Sequence, residues 1–296
     1  MSKLVECIPN FSVSREQDPD VFQGLVDMSN SIPSSTVLHV QSDGDHNRCV
    51  FTMVGSPAAI EEAAFQLTRQ ATATIDMTRH QGQHPRMGAT DVIPFVPCMD
   101  VSLEECIAMS KRVAQRIWEE LQVPSFLYED SASAPHRTNL AACRKGQFEG
   151  MPEKLLQPEW APDFGERKIH PTAGITAIGA RMPLIAYNIN LANKIARAIR
   201  ASGGGFKYCK AIGVMLNDRN IAQVSMNLVN YEGTPIYYVF EMVRALADRY
   251  GARIIGSELV GLTPGKALLD CAEYYLKLEN FDARKQVMEY HIIDLA

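Results

Sequence analysis

The stretch TVLHVQSDGDHNRCVFTMVG, residues 36–55, holds two strand-like runs on either side of the polar segment GDHN. Gly, Asp and Asn are favoured in turns because they adopt the backbone angles that turns require. Two strand-like runs joined by such a segment predict a β-hairpin. A second hairpin is predicted in the other half of the chain, where KAIGVMLND and IAQVSMNLVN are joined across NDRN, within residues 210–230.

The elements around the two hairpins follow the same order. In the first half, periodicity and capping residues predict a strand at 4–11, a helix at 19–31, the hairpin, a helix from Pro57, a strand at 92–99, a helix after the Ser102/Glu105 capping box and a strand at 125–129. The second half is predicted to contain a strand at 183–191, a helix at 193–202, the hairpin, a helix at 235–250, a strand at 253–261, a helix at 265–276 and a strand at 289–294. The strand at 92–99 contains two prolines, which cannot donate to a sheet. Such prolines suit an edge strand or the end of a strand.

Both halves therefore run β-α-β-β-α-β with additional helix, which is the split-βαβ order of ferredoxin-like folds. We predict an α+β chain of two similar ferredoxin-like α/β sandwich subdomains, residues 1–180 and 181–296. Residues 130–180 show little periodicity and are rich in Ala, Pro, Gly and charge, which predicts a long loop that is functional or disordered. Trp160, Phe164 and Ile169 favour order in that loop.

Composition limits the classes of function. The chain has 296 residues, of which 46% are hydrophobic and 21% charged, as is normal for a globular protein with a buried core. Its first residues lack a signal-peptide pattern, and no apolar run approaches the roughly 20 residues that cross a bilayer, so we expect a cytoplasmic protein without a membrane partner. A net charge of −5 without a Lys/Arg block gives no support for a nucleic-acid partner. Seven scattered cysteines without a CxxC pair indicate neither a disulfide framework nor a structural zinc site.

The stretch RHQGQHPRMGATD, residues 79–91, is too polar and too often interrupted for a core helix or strand. A surface turn, a metal site and an active site are all open interpretations. His80 and His84 have the spacing at which two imidazoles on a helix share zinc, but Gly82 and Pro85 disfavour a regular helix. Histidine is also the side chain whose proton moves near neutral pH, so it is a natural acid and base.

Charged residues beside these segments suit an anionic substrate. Arg86 and Asp91 lie in the same loop as the histidines, where they could bind an anion and orient a ring. Arg48 ends the polar segment SDGDHNR, residues 42–48, and enters a strand. Most of that segment is explained by a turn, whereas a guanidinium at a strand end could hold a carboxylate through two hydrogen bonds.

Taken together, the motifs resemble the glutamate formimidoyltransferase family, which includes the transferase part of formimidoyltransferase-cyclodeaminase. The matching stretches occur in order over nearly the whole chain: LVECIPNFS (4–12), DHNR (45–48), IDMTRHQGQHPRMGATDVIPF (75–95), MPEKLLQPEWAPDFG (151–165), AYNINL (186–191), KAIGVMLNDRNIAQVSMNL (210–228) and GSELVGLTPGKALLD (256–270). The resemblance implies two α/β subdomains with a substrate cleft or tunnel between them, and a homodimer. It also implies transfer of the formimidoyl group of N-formimidoyl-L-glutamate to N5 of tetrahydrofolate, with release of glutamate.

The resemblance further implies roles for individual residues. The family's catalytic histidine lies in a G-x-H-P-R-M-G motif, which assigns acid and base work to His84 and not to His80. The folate-contacting segment follows WAPDFG and falls on Gly165, Glu166, Arg167, Lys168, Ile169, His170, Pro171, Thr172, Ala173 and Gly174. The remaining candidates for substrate binding are Asn10, His46, Asn47, Arg48, His80 and Arg86. Tetrahydrofolate would be a co-substrate, and no metal is expected.

Three other functions stay open at this point. The same histidine and cleft would serve formyl transfer between glutamate and tetrahydrofolate. A non-catalytic folate-binding protein is possible in principle, although a pure binder has no need of a proton-transferring histidine. A metal-dependent hydrolase that uses His80 and His84 is the most remote alternative.

Overall fold

The computed structural model describes residues 3–190, 201–216 and 221–293. The chain forms two compact units, Met1–Met182 and Pro183–Ala296, and each contains one β-sheet. The whole is therefore a mixed α/β protein. Within the described ranges, no helix combines the length and the apolar character that a membrane crossing requires.

The first unit contains most of the predicted elements at the predicted places. Its strands are β1 (Leu4–Cys7), β2 (Asn10–Phe11), β3 (Ser35–Asp43), β4 (Arg48–Gly55), β5 (Thr90–Met99), β6 (Ser125–Glu129) and β7 (Thr176–Ala180). Its helices are α1 (Pro19–Ser31), α2 (Pro57–Thr74), α3 (Leu103–Leu121), α4 (Leu140–Arg144) and α5 (Gln147–Leu156). The predicted capping box is confirmed, because Ser102 and Glu105 each bond the other's backbone N–H at the start of α3.

The seven strands form one sheet in which β1 and β2 act as two parts of a broken strand. Both pair with β4 on one side and with β5 on the other, and β3 lies outside β4 as the predicted hairpin requires. Beyond β5, the strands β7 and β6 follow in parallel pairing. Helices α1, α2 and α3 pack on one face over the main core, which contains Phe11, Phe51, Phe65 and Phe95.

The predicted edge position of β5 is wrong, because this strand lies in the interior of the sheet. It pairs with β1 and β2 on one side and with β7 on the other. Pro94 is tolerated since its carbonyl still accepts a hydrogen bond from Ile8 N at 3.2 Å, in the gap between β1 and β2. The missing N–H of a proline excludes a donor and not an acceptor.

The predicted long loop at 130–180 is wrong in part, because it contains α4, α5 and the interior strand β7. All five residues of β7 are buried, so the strand lacks the alternation by which a half-exposed strand is recognised. Gly179 leaves room for its neighbour, since a β-carbon there would lie 2.3 Å from Tyr128 O. Helices α4 and α5 are only 5 and 10 residues long, which is too short for a clear helical period.

The second unit contains the strands β8 (Ile185–Asn190), β9 (Cys209–Leu216), β10 (Ile221–Leu228) and β11 (Ser257–Val260). Its described helices are α6 (Ile236–Arg249), α7 (Gly265–Leu276), α8 (Ala283–Gln286) and α9 (Met288–Ile293). The second hairpin is confirmed by the antiparallel pairing of β9 with β10. The helix predicted at 193–202 lies almost entirely outside the described residues.

The strand predicted at 289–294 is wrong, because this segment forms the helix α9. A short apolar run cannot be assigned to helix or strand from its periodicity alone. In the structure, Tyr290 N donates to Val287 O at 3.2 Å, a helical turn that a strand would not form.

The two units share one arrangement of their first four strands, counting β1 and β2 as one. In the first unit, that broken strand lies between the third (β4) and the fourth (β5), and the second (β3) lies outside the third. The sheet of the second unit has the order β11-β8-β10-β9, which places the first strand between the third and the fourth in the same way. All pairings in the second sheet are antiparallel.

Candidate active site

The polar stretch of residues 79–91 forms part of the loop between α2 and β5 together with the first two residues of β5, and it packs against the turn that joins β3 to β4. Asn47 Nδ2 in that turn donates to Gln81 O at 2.9 Å. Gly82 permits the close approach, because a β-carbon at this position would lie 2.3 Å from His46 O. The two polar segments that the sequence singled out therefore form one cluster.

His80 connects the loop to the turn and to Arg86. Its Nε2 lies 2.9 Å from Asn47 O, and its Nδ1 accepts from Arg86 Nε at 3.2 Å. These partners require the neutral ring with the proton on Nε2. Burial lowers the pKa of His80, which favours the same neutral form. With both nitrogens engaged, His80 holds the loop in place, and neither nitrogen has a lone pair available for zinc.

Arg86 is buried and directs its donors at protein groups. Its two terminal nitrogens bond the two carboxylate oxygens of Glu149 at 2.8 and 2.6 Å. One of them also donates to Gln147 Oε1 at 2.9 Å, and the other lies 3.4 Å from His80 O. Phe148 N donates to Arg86 O at 2.9 Å. This arginine therefore ties the loop to the start of α5 and has little capacity left for a ligand.

His84 differs from His80 because its ring has a free nitrogen. Nδ1 of His84 is buried and has no hydrogen-bond partner among the residues that the structure describes. The ring of His46 meets it edge-on, with ring centroids 5.9 Å apart. The pKa of His84 is lowered to about 3, mainly by burial and then by the positive charges of Arg48 and Arg144. The carbonyl of Pro85 raises this pKa and offsets the decrease only in part. The ring is thus neutral over the physiological range and can accept a proton or a hydrogen bond.

The charges of two arginines act on this histidine, and an aspartate pairs with one of them. Arg144 donates to Asp91 Oδ2 at 2.5 Å, and the two side chains are 16% and 2% exposed. The other oxygen of Asp91 accepts from Met87 N at 3.0 Å, so the same carboxylate fixes the end of the loop. Burial and the charge of Arg144 lower the pKa of Arg48, whose guanidinium has no hydrogen bond or ion pair within the described part of the chain.

Sequence reasoning did not identify Arg144 or the segment that carries it. Arg144 is the last residue of α4, and the ammonium of Lys154 on α5 bonds the carbonyls around it: Ala142 O at 2.6 Å, Cys143 O at 2.7 Å and Lys145 O at 3.1 Å. Helix α5 also supplies the partners of Arg86. Residues 139–156 therefore contact the loop at Arg86 and its C-terminal end at Asp91. Only the high charge of this stretch hinted at a role.

The predicted folate segment, residues 165–174, ends beside the loop that carries His84. Ala89 N donates to Ala173 O at 2.9 Å, and Gly88 forms a β-bridge with Gly174. A β-carbon on Gly174 would lie 2.3 Å from Met87 O, and its φ of +72° also favours glycine. In the earlier part of the segment, Glu166, Arg167 and Lys168 are exposed. Glu166 and Lys168 form an ion pair at 2.7 Å.

Two other predicted residues have local partners. Asn10 is buried on β2, and its side chain donates to Ile8 O at 2.8 Å. His46 is half-exposed, and its Nδ1 lies 2.7 Å from Asp43 Oδ2. The structure thus brings His46, Asn47, Arg48, His80, His84 and Arg86 together, and it gives no contact from Asn10 to them within the described residues. Ser12, which the sequence did not single out, bonds Gly88 O at 2.7 Å.

All predicted site residues lie in the first unit. The second unit has a cavity of about 370 Å³, and four of its ten lining residues are aromatic: Tyr187, Tyr237, Phe240 and Tyr275. No group of three or more His, Cys, Asp or Glu side chains in metal-binding proximity occurs in residues 3–190, 201–216 or 221–293.

Comparison with known proteins relates this site to one family. The profile described as "Formiminotransferase domain, N-terminal subdomain" matches residues 4–181, and that of "Formiminotransferase domain" matches residues 184–296. A glutamate formimidoyltransferase of Streptococcus pyogenes serotype M1 is 60% identical, over 99% of this chain and 100% of that protein. One from Thermoplasma acidophilum is 44% identical over 94% of each chain.

A longer relative is the formimidoyltransferase-cyclodeaminase of Gallus gallus, which is 46% identical over 94% of this chain. The match covers 53% of that protein, so this chain spans about half its length. The two profiles together cover both units, and the site described above lies within the first match. The chain belongs to the formiminotransferase family.

Proposed function

We propose that this protein transfers the formimidoyl group of N-formimidoyl-L-glutamate to N5 of tetrahydrofolate and releases glutamate. The observation that carries the proposal is the 60% identity to a glutamate formimidoyltransferase over essentially the full length of both chains. The histidine with a free nitrogen beside two arginines supports it, since the reaction moves a proton on a substrate with carboxylates. Formyl transfer at the same site is the alternative that the assay below separates.

His84 is proposed to move the proton. N5 of the folate attacks the amidine carbon, a new C–N bond forms and N5 loses a proton. The bond from that carbon to the glutamate nitrogen then breaks, and this nitrogen gains a proton as it leaves. A neutral imidazole can accept the first proton and return it in the second step, which typically contributes about 10²–10⁴-fold to the rate. Holding the two substrates in attack geometry can contribute roughly 7–11 kcal/mol more.

Arg48 is proposed to contact a substrate carboxylate, and Arg86 to have a positioning role. The support is the difference in their partners: the donors of Arg86 are directed at Glu149, Gln147 and His80, whereas the guanidinium of Arg48 makes no bond to the described residues. His80 and Asn47 are proposed to fix the shape of the site, because both are engaged with the loop and turn backbone. His46 is proposed to line the site through its edge contact with His84.

Residues 165–174 are proposed to bind tetrahydrofolate. Two observations support this: the bridge from Gly174 to Gly88 in the loop, and the exposed cationic side chains of Arg167 and Lys168. Arg167 has no ion pair among the described residues, so it is suited to the anionic tail of a folate. Tetrahydrofolate is a co-substrate in this proposal, and no metal takes part.

The finer architecture is also a proposal. We infer two ferredoxin-like subdomains, residues 1–180 and 181–296, with the substrates in a cleft between them. The shared strand arrangement of the two units supports the ferredoxin-like part. We further propose that the protein is cytoplasmic and forms a homodimer. The homodimer is supported by large apolar side chains that are exposed on the second unit, among them Leu259, Val260, Leu268 and Tyr274. Light scattering after gel filtration measures the oligomeric state.

The test of function is a matched assay with two donors. Purified protein is incubated with tetrahydrofolate and either N-formimidoyl- or N-formyl-L-glutamate, and released glutamate is measured with a coupled dehydrogenase. We expect release with the formimidoyl donor that depends on tetrahydrofolate. Consumption of the formyl donor alone would favour the alternative, and consumption of neither would refute the transferase.

A further inference from the structure

The cluster around His84 contains more positive charge than its buried carboxylate can neutralise. The charge of Arg144 lowers the pKa of Arg48, and the buried carboxylate of Asp91 pairs with Arg144 and attracts Arg48. One carboxylate oxygen of Asp91 accepts a hydrogen bond from Arg144, and the other accepts one from Met87 N. Asp43 also attracts Arg48, but its oxygens accept from His46, and its side chain is 43% exposed and therefore screened by solvent.

Both arginines retain unused donors. The Nε of Arg144 is buried and has no hydrogen-bond partner among the described residues. The guanidinium of Arg48 is likewise without a partner there. A buried donor without an acceptor costs about 1–3 kcal/mol, so such groups are expected to find one in the functional state. Both cations act on His84. Two such forked groups suit a carboxylate, which can accept two pairs of hydrogen bonds.

We propose that Arg144 and Arg48 together form a receptor for one carboxylate of the glutamyl substrate, and that its occupancy makes His84 able to take up a proton. This inference rests on the proposed function and adds a binding residue, Arg144, and a coupling between donor binding and proton transfer. The ligand class is an α-amino dicarboxylate. Before it binds, the two guanidinium groups oppose a third positive charge on His84. When a carboxylate lies between them, that opposition is removed.

The direction of the effect follows from the charges that face the ring. Arg48 comes from β4, Arg144 from α4 and His46 from the β3–β4 turn, and each opposes a proton on His84. The carbonyl of Pro85 favours the proton. A bound carboxylate adds a negative charge beside the arginines and raises the pKa of His84. The same ligand also removes water from the ring, which lowers the pKa of His84. At short distance in a partly buried site, the Coulomb attraction of the carboxylate is the larger effect.

The test measures the protonation of His84 directly. Long-range ¹H–¹⁵N correlation spectra of the ring nitrogens are recorded between pH 4.5 and 8, on free protein and on protein saturated with L-glutamate, the product that retains both carboxylates. We expect the ring of the free protein to stay neutral throughout, and the ring in the glutamate complex to become protonated as the pH falls within this range. Sodium chloride at matched ionic strength is the control for screening.

Two variants identify the receptor. Arg144→Met removes one guanidinium but leaves Asp91 without its partner, so this variant can also unfold. Arg48→Met avoids that difficulty, because Arg48 holds no described group. For each folded variant we expect glutamate to bind about 10–100-fold more weakly by calorimetry, as for the loss of a charged hydrogen-bonded pair. We also expect little change in the His84 spectrum on addition of glutamate. Arg69→Met, which removes an exposed arginine of α2 outside the charges that act on His84, should match the parent protein.

The outcomes separate this inference from the proposed function. If the parent protein transfers the formimidoyl group and binds glutamate, yet glutamate leaves the His84 ring neutral, the coupling is wrong and the function stands. If Arg48→Met and Arg144→Met bind glutamate as tightly as the parent, the receptor is wrong. If the two-donor assay shows no transfer at all, it is the proposed function that fails.

Discussion

Arg86 and Glu149 form a two-pronged ion pair, with nitrogen–oxygen distances of 2.6 and 2.8 Å, between the loop that carries His84 and the first turn of α5. The arginine side chain is 9% exposed and the glutamate side chain 63%. The pair is therefore a buried cation neutralised from the solvent side. Its loss weakens the attachment of the loop to α5, so we expect Glu149, a residue outside the loop, to help hold the loop that carries His84.

The first prediction concerns this ion pair. Glu149→Gln should lower the free energy of unfolding by about 1 kcal/mol at pH 7, a small value because the carboxylate is solvent-exposed. Hydrogen bonds from Arg86 lower the pKa of Glu149 below its ordinary 4.5. A lowered carboxyl pKa stabilises the fold above the ordinary value, and this contribution disappears as the pH falls through the folded value. Urea unfolding at several pH values should thus show the difference at pH 7 and its progressive loss as the pH falls below the ordinary pKa of 4.5.

The control for this pair is Glu153→Gln, which removes an exposed carboxylate from the same helix. No hydrogen bond or ion pair of Glu153 occurs in the described structure, so its stability should equal that of the parent at all pH values. A similar loss in both variants would show that helix charge, and not the pair with Arg86, is responsible.

The second prediction concerns the contact between the loop and the β3–β4 turn. Gly82→Ala should displace the loop, because the new methyl group would lie 2.3 Å from His46 O. We expect stability to fall by about 1–3 kcal/mol, as for an overpacked contact, and turnover to fall with it. Gly150→Ala is the matched control, since nothing lies within 4 Å of a β-carbon there and the position is helical. That variant should be unchanged or more stable by about 0.5–1 kcal/mol. Equal damage from both substitutions would contradict the steric argument.

The site was predictable from sequence where its residues lie close together in the chain. Arg48 and His84 stand in short polar stretches, so composition drew attention to both, and the family motif then distinguished His84 from His80. Arg144 stands in a helix of 5 residues, and its role depends on a contact with Asp91 across 53 positions. Such a contact leaves no period and no motif in a single sequence. The same is true of β7, whose burial on both faces removes the alternation that identifies a strand.

The third prediction concerns the residue that holds Arg144 in place. Lys154→Met should leave the carbonyls of Ala142, Cys143 and Lys145 without their shared donor and lower the free energy of unfolding by about 1–3 kcal/mol. The Lys154 ammonium also lies 3.8 Å from the centre of the Trp160 ring, so tryptophan fluorescence should report the change. In the folded variant, kcat/KM for the glutamyl donor should fall, because the end of α4 is no longer fixed. Lys111→Met, on the exposed side of α3, should alter neither stability nor kinetics.

The last prediction concerns the pH dependence that His84 imposes on catalysis. The profile of kcat/KM reports the ionisation of the free enzyme, and burial with the charges of Arg48 and Arg144 lowers the pKa of His84 there to about 3. The basic form is thus already complete at pH 5, so kcat/KM should show no loss from this group between pH 5 and 8. The profile of kcat reports the substrate complex, where a bound carboxylate raises the pKa of His84. The acid limb of the kcat profile should therefore lie at higher pH than that of kcat/KM.

His84→Ala should lower kcat by roughly 10²–10⁴-fold and leave folate affinity within several-fold. The exposed His39 provides the control variant His39→Ala, which should keep both profiles. An acid limb of kcat/KM near pH 6.5 that His84→Ala abolishes would show that the ring titrates normally and that the arginines do not suppress its proton.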